Sequence, residues 1–229
     1  MPKFCIECGN ELTSEAKFCS NCGKEQVEQK EQNISLQKTT SPAAINLKTA
    51  FSLISRVEDE LINNRRIAGL DGELNDAVIL IEQARNIDSN VVLVGEESGK
   101  ILCCNDLLSH VFFLRGRIKF NLLFIHKMVG PSGQLEYKKT QELFHKSYEL
   151  RQDSSSLYYE ASCIYYQVYT KSLVGCMIKG LNGEEVKFKP FSPHEGRELA
   201  YNSFQKVIDL YPDHEYAIEA RKMQMKIDL

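Results

Sequence analysis

Residues 200–212 read Ala200-Tyr-Asn-Ser-Phe204-Gln-Lys-Val207-Ile-Asp-Leu-Tyr-Pro212, a small–large–small pattern that closes on a turn residue. The same offsets recur at Ala77, Ile81, Ala84, Ser89 and at Thr140, Phe144, Ser147, Gln152. Positions four and seven apart share one face of an α-helix. Each segment therefore reads as a helix that presses one stripe inward and stops near its turn residue. The copies are 63 residues (77 to 140) and 60 residues (140 to 200) apart, so other elements must fill the spaces between them.

Helical periodicity fills most of those spaces. Ser41-Pro42 reads as an N-cap with proline at the first helical position. Leu47, Ala50, Phe51, Ile54, Val57 and Leu61 then predict a helix to about Ile67, ending near Gly69. Asp71 is placed to cap the second helix, which carries the first copy of the pattern. A short apolar run, Asn90 to Gly95, leads through a loop into a long helix expected from about Gly99 to Met128. Its basic residues Arg115, Arg117, Lys119 and Lys127 read as a solvated face in preference to a surface for acidic partners. Gly130-Pro-Ser-Gly133 reads as a break before a fourth helix, about Leu135 to Arg151.

The fifth helix starts at Ser154. Tyr158, Ser162, Tyr165 and Tyr169 share one face, with Tyr159 and Tyr166 on a second. Two apolar sides suit the middle of a stack, and core is favoured over a peptide groove. Residues 172–191 break the period. Cys176, Ile178, Val186 and Phe188 alternate around Asn182-Gly183, which predicts an inserted β-hairpin or loop. Ser192-Pro193-His194-Glu195 reads as a capping box for a sixth helix to Leu210. Asp213 is placed to cap a seventh, with Ala217, Ala220, Met223 and Ile227 inward.

The N-terminus has a different logic. Phe4-Cys5-x-x-Cys8-Gly9 is echoed by Phe18-Cys19-x-x-Cys22-Gly23. Two such pairs can give one ion the tetrahedral thiolate set that zinc prefers. Each glycine lets the backbone turn and aim N–H groups at sulfur. So short a segment cannot bury a core, and metal binding supplies its folding energy. A thioredoxin-like redox reading needs a strand before and a helix after the pair, which neither pair has. Residues 25–40 are polar and read as a linker.

Two resemblances follow. Lys3 to Lys24 resembles the short zinc-ribbon module found at the N-termini of bacterial proteins, although Ile6 and Ser20 stand where that family often has proline. The resemblance implies one structural zinc ion, with Cys5, Cys8, Cys19 and Cys22 as ligands. The recurring helical pattern, most closely at Ala200 to Pro212, resembles the second helix of a tetratricopeptide repeat, and Tyr158, Ala161, Ser162 and Tyr165 fit the first. The family's period is 34 residues, well short of the spacing here. The expected fold is mainly α: a tetratricopeptide-like array of about seven helices with a small N-terminal zinc ribbon. The expected boundaries are ribbon 1–24, linker 25–42 and helical domain 43–229.

Composition narrows the function. The net charge of −3 gives no basic field for nucleic acid or an anionic membrane. In the ribbon, Lys3, Lys17 and Lys24 are balanced by Glu7, Glu11 and Glu15. The most apolar stretch, Val111 to Val129, carries too many charges to span a bilayer, and the first residues lack a secretory apolar region. A cytoplasmic location is expected, with Cys103, Cys104, Cys163 and Cys176 as small hydrophobes. Gly95-Glu-Glu-Ser-Gly99-Lys100-Ile101 falls short of a phosphate loop in spacing and in its last residue. The five histidines, His110, His126, His145, His194 and His214, form no catalytic motif. The expected function is a non-enzymatic zinc-binding interaction or scaffold protein with protein partners. A nucleic-acid-associated regulator using the ribbon is the alternative.

Overall fold

Two compact units divide the chain, Met1–Ser41 and Pro42–Leu229. The computed structural model describes residues 3–4, 11–12, 41–63, 69–94, 101–128, 130–169, 176–179, 185–188 and 192–227. In the first unit, strands β1 (Lys3–Phe4) and β2 (Glu11–Leu12) pair antiparallel, with Lys3 opposite Leu12 and Phe4 opposite Glu11.

The second unit is mainly α. Its elements run α1 (Pro42–Ile62), α2 (Leu70–Ile87), β3 (Val92–Val94), β4 (Ile101–Cys103), α3 (Cys104–Ile125), α4 (Gly130–Leu150), α5 (Ser154–Tyr169), β5 (Cys176–Lys179), β6 (Glu185–Phe188), α6 (Pro193–Leu210) and α7 (Glu215–Gln224). Each helix packs on the next, and α1 also touches α3, as α5 touches α7. The core follows this order in overlapping groups. One cluster joins α1, α2 and α3; a second, around Leu123, Tyr137, Phe144 and Cys163, joins α3, α4 and α5; a third joins α5, α6 and α7.

The recurring pattern marks the even-numbered helices. Ala77, Ile81 and Ala84 on α2, Thr140, Phe144 and Ser147 on α4, and Ala200, Phe204 and Val207 on α6 are all fully buried. The small residues let neighbouring helices approach. Ser147 hydrogen-bonds the backbone carbonyl of Ser109 on α3 at 2.8 Å and the hydroxyl of Ser156 on α5 at 2.8 Å. Gly116 completes the α3–α4 contact: a Cβ there would lie 2.6 Å from Phe144 Cε1.

α5 has the two buried sides expected of it. Tyr158 and Tyr165 pack toward Phe204 of α6. Tyr159 and Tyr166 pack against Phe120 of α3, and Tyr159 stacks on Phe144 of α4. The 172–191 segment contains the expected hairpin, with Cys176 opposite Phe188 and Ile178 opposite Val186.

Several boundaries differ from expectation. α1 ends at Ile62, and residues 64–68 lie outside the described set. α2 begins before Asp71: its N-cap is Gly69, whose φ of 90° turns the chain so that Leu70 is buried. Asp71 instead meets Arg115 Nε of α3 at 3.1 Å. The start expected for the long helix is a strand. β4 pairs with β3 in a second inserted hairpin, Val94 opposite Ile101. A run of three apolar residues fits either period, so pairing with Val92–Val94 decides it. α4 begins at Gly130, because Pro131 suits a first helical turn, where no N–H partner is needed. Lys127, with φ 47°, ends α3: Met128 N–H bonds the Leu123 carbonyl and Lys127 N–H that of Phe124. Ser192 caps α6, its Oγ accepting from Glu195 N–H. His214, not Asp213, caps α7, its Nδ1 accepting from Tyr216 N–H at 3.4 Å.

Candidate functional site

Two places carry candidate function, one in each unit. In the first, the chain reverses between β1 and β2, and the residues that join them, 5–10, include Cys5 and Cys8. Antiparallel strands on either side of a Cys-x-x-Cys pair suit a site in which both thiolates serve one ion. Cys5, Cys8, Cys19 and Cys22 themselves lie outside the described residues, as does the segment 25–40.

In the second unit, the odd-numbered helices wall a cavity of about 390 Å³. α1 contributes Glu58, Leu61 and Ile62; α3 contributes Phe113, Leu114 and Arg117. Asp153, Ser154 and Ser155 at the start of α5, and His214 and Tyr216 at the start of α7, complete the lining. Helical spacing explains the shared face of Phe113 and Arg117, four residues apart. Ile62 is 71% exposed at its rim.

The charged groups of the cavity differ in their partners. Glu58 Oε1 lies 3.3 Å from His110 Nε2, and the hydrogen bond from His110 holds the Glu58 carboxyl below the usual carboxylate range. Asp153 caps α5, accepting from Ser156 N–H at 2.9 Å, from Ser156 Oγ at 2.8 Å and from Ser155 Oγ. Arg117 lays its guanidinium over the Tyr159 ring, 4.7 Å from the centroid, and 5.8 Å from that of Phe113. Its Nε is out of solvent and has no hydrogen-bond acceptor. Stacking on an aromatic face suits a guanidinium better than an ammonium.

Sequence reasoning missed this cavity. Arg115 and Arg117 are folded against the helices, one paired with Asp71 and one stacked on Tyr159, so they do not belong to a solvated face. Lys119 and Lys127 are exposed. A signal was present: Phe113, Phe120 and Phe124 fall on one helical stripe, and Arg117 interrupts it. An arginine inside an aromatic stripe is placed by packing, not by solvation.

The remaining candidates are accounted for locally. Cys104 and Cys163 are buried, Cys103 is half-buried, and all three are free thiols. Burial raises the Cys163 thiol well above its ordinary range. The side chain of Cys176 and the loop 95–100 lie outside the described residues. His145 faces Glu149 at 3.4 Å and Glu160 at 3.2 Å, His194 faces Glu198 at 3.9 Å, and His126 is the exposed C-cap of α3. Among the described residues, no group of three His, Cys, Asp or Glu is placed to hold a metal ion. Nor is any helix there long and apolar enough to cross a membrane.

Comparison with known proteins bears on the first site alone. A zinc-ribbon domain model matches residues 4–26, a span that contains all four cysteines of the two pairs. No curated protein and no solved structure matches the chain.

Proposed function

We propose that this chain is a zinc-binding, non-enzymatic interaction or scaffold protein. Its first unit holds one structural zinc ion through Cys5, Cys8, Cys19 and Cys22. Its second unit is a tetratricopeptide-like array that receives a protein segment. The zinc-ribbon match and the β1–β2 reversal beside Cys5 and Cys8 support the first half. The second half rests on one observation: the even-numbered helices bury the repeated triplets, while the odd-numbered helices face a common cavity. Stacked helix pairs that leave one layer free are the usual means by which helical arrays hold extended segments. The free thiols of Cys103, Cys104 and Cys163, among the described residues, favour a reducing, cytoplasmic setting.

Zinc analysis tests the first half. One equivalent is expected, and Cys5→Ser is expected to abolish it while the thermal transition of the helical unit stays in place. The absence of metal from the freshly purified chain overturns this half. The second half is tested by affinity capture from native cells with wild type and with Tyr216→Ala. It fails if no protein is retained reproducibly, or if Tyr216→Ala retains the same set. A strongly salt-dependent affinity for nucleic acid, lost on removal of zinc, supports the nucleic-acid-associated alternative instead.

A further inference from the structure

We infer that the cavity between the odd-numbered helices is built for a protein segment that places an internal Asp or Glu side chain on Arg117. This rests on the interaction reading above and adds the chemistry of the partner.

The inference comes from what each charged group there already has. Glu58 is held by His110, and Asp153 is consumed in capping α5. His214 accepts from Tyr216 N–H through Nδ1. Arg117 appears in none of the ion pairs among the described residues. It is thus the charged group of the cavity without an ion pair at contact distance: Glu58 feels its charge but gives its hydrogen bond to His110, and one N–H group of Arg117 is already desolvated without an acceptor. A ligand that covers it must bring acceptors, because a desolvated, unpaired guanidinium is costly. A carboxylate matches the planar fork of its N–H groups.

The surroundings choose between anions and between sources. Glu58 and Asp153 line the same cavity, so a second negative charge on the ligand faces two carboxylates. A single carboxylate is therefore favoured over a phosphate. Leu61 and Ile62 from α1 and Tyr216 from α7 line the same cavity as Arg117. They offer apolar contacts to the residues beside the acid, which an internal residue of a peptide has and a free carboxylic acid does not. The volume of about 390 Å³ holds a few side chains.

The test begins with random peptides displayed on phage and selected on the full, zinc-loaded chain. Selected sequences are then synthesised with both termini blocked, and binding is followed by fluorescence anisotropy. Enrichment of an acid between apolar residues is expected. Changing that acid to its amide, which alters nothing in the protein, is expected to weaken binding roughly 10- to 100-fold. Arg117→Gln is expected to bind the acid and amide peptides equally, and Arg117→Lys to restore part of the difference. Circular dichroism reports whether each variant is folded. Peptides that lose affinity on Tyr216→Ala but ignore the acid-to-amide change leave the cavity as a peptide site and overturn the role of Arg117. If no selected peptide responds to Tyr216→Ala, the inference and the reading beneath it both fall. Tighter binding of a phosphoserine version than of the acid version overturns the choice of carboxylate.

Discussion

α2, α4 and α6 perform one task three times, whereas α1, α3, α5 and α7 share a second one, the lining of a single cavity. Each even-numbered helix drives a small–large–small triplet completely out of solvent. The odd-numbered helices bury regular stripes of their own, Ala50, Ile54 and Val57 on α1 and Leu107, Val111 and Leu114 on α3, and also turn Glu58, Arg117, Ser154 and Tyr216 toward a shared cavity. Repetition marks faces that pack against a neighbour, since close packing admits few solutions. The residues that line the cavity differ from helix to helix. Change in the buried triplets is expected to register as stability, and change in the cavity lining as binding.

The sharpest break of that division is Phe144→Ala. Phe144 is fully buried at the junction of α3, α4 and α5. Its truncation is expected to cost about 3–5 kcal/mol in chemical denaturation. A loss below about 1 kcal/mol, the size of an ordinary surface change, places this junction outside the core and dissolves the contrast between layers. Tyr216→Ala, on the other layer, is expected to remove partner binding at a smaller cost in stability.

Gly116→Ala sharpens the same junction from the α3 side. The added Cβ meets the Phe144 ring at 2.6 Å, so overpacking of about 1–3 kcal/mol is expected. Combining it with Phe144→Leu is expected to recover part of that loss, which a double-mutant cycle measures. Strict additivity of the two changes contradicts a shared contact.

The aromatic seam between the layers predicts an alkaline transition. Burial pushes the Tyr137 hydroxyl from its ordinary value of 10.0 up to about 12, and it raises Tyr158, Tyr159, Tyr166 and Tyr216 as well. The folded state therefore keeps these protons longer than the unfolded chain. The Tyr137 contribution is fully present below pH 10 and lost as pH rises through about 12, and the other four act in the same direction. Urea midpoints measured across that range are expected to fall with tyrosinate absorbance. Phe substituted for Tyr137 is expected to reduce the fall.

The smallest effect belongs to the joint between α3 and α4. Lys127 closes α3 with φ 47°, a region that disfavours side chains. Lys127→Gly is expected to stabilise by about 0.5–1 kcal/mol in thermal denaturation. Destabilisation there assigns Lys127 a side-chain contact that outweighs its backbone.

Much of this was legible from residues close in sequence. The β5–β6 hairpin follows from alternation around Asn182-Gly183, and the two sides of α5 follow from tyrosine spacing. Element ends were less legible where two local solutions compete. Ile101-Leu102-Cys103 suits helix or strand until β3 pairs with it, and Asp71 suits a cap until Gly69 turns the chain one step earlier. The cavity was the least legible feature, because its lining comes from four separate helices.

The sequence by itself determined which residues have the chemistry and spacing of a zinc ribbon, the helical class of the rest and the stripe each even-numbered helix buries. Those properties are local: ligand spacing, helical period and turn chemistry act within a few residues. Tertiary structure alone decided that Arg117 lies on Tyr159 with no ion pair at contact distance among the described residues, while Glu58 and Asp153 find hydrogen-bond partners within the fold. Charge states its sign in the sequence, but only packing across distant helices decides which charges meet one another and which are stacked on an aromatic ring instead.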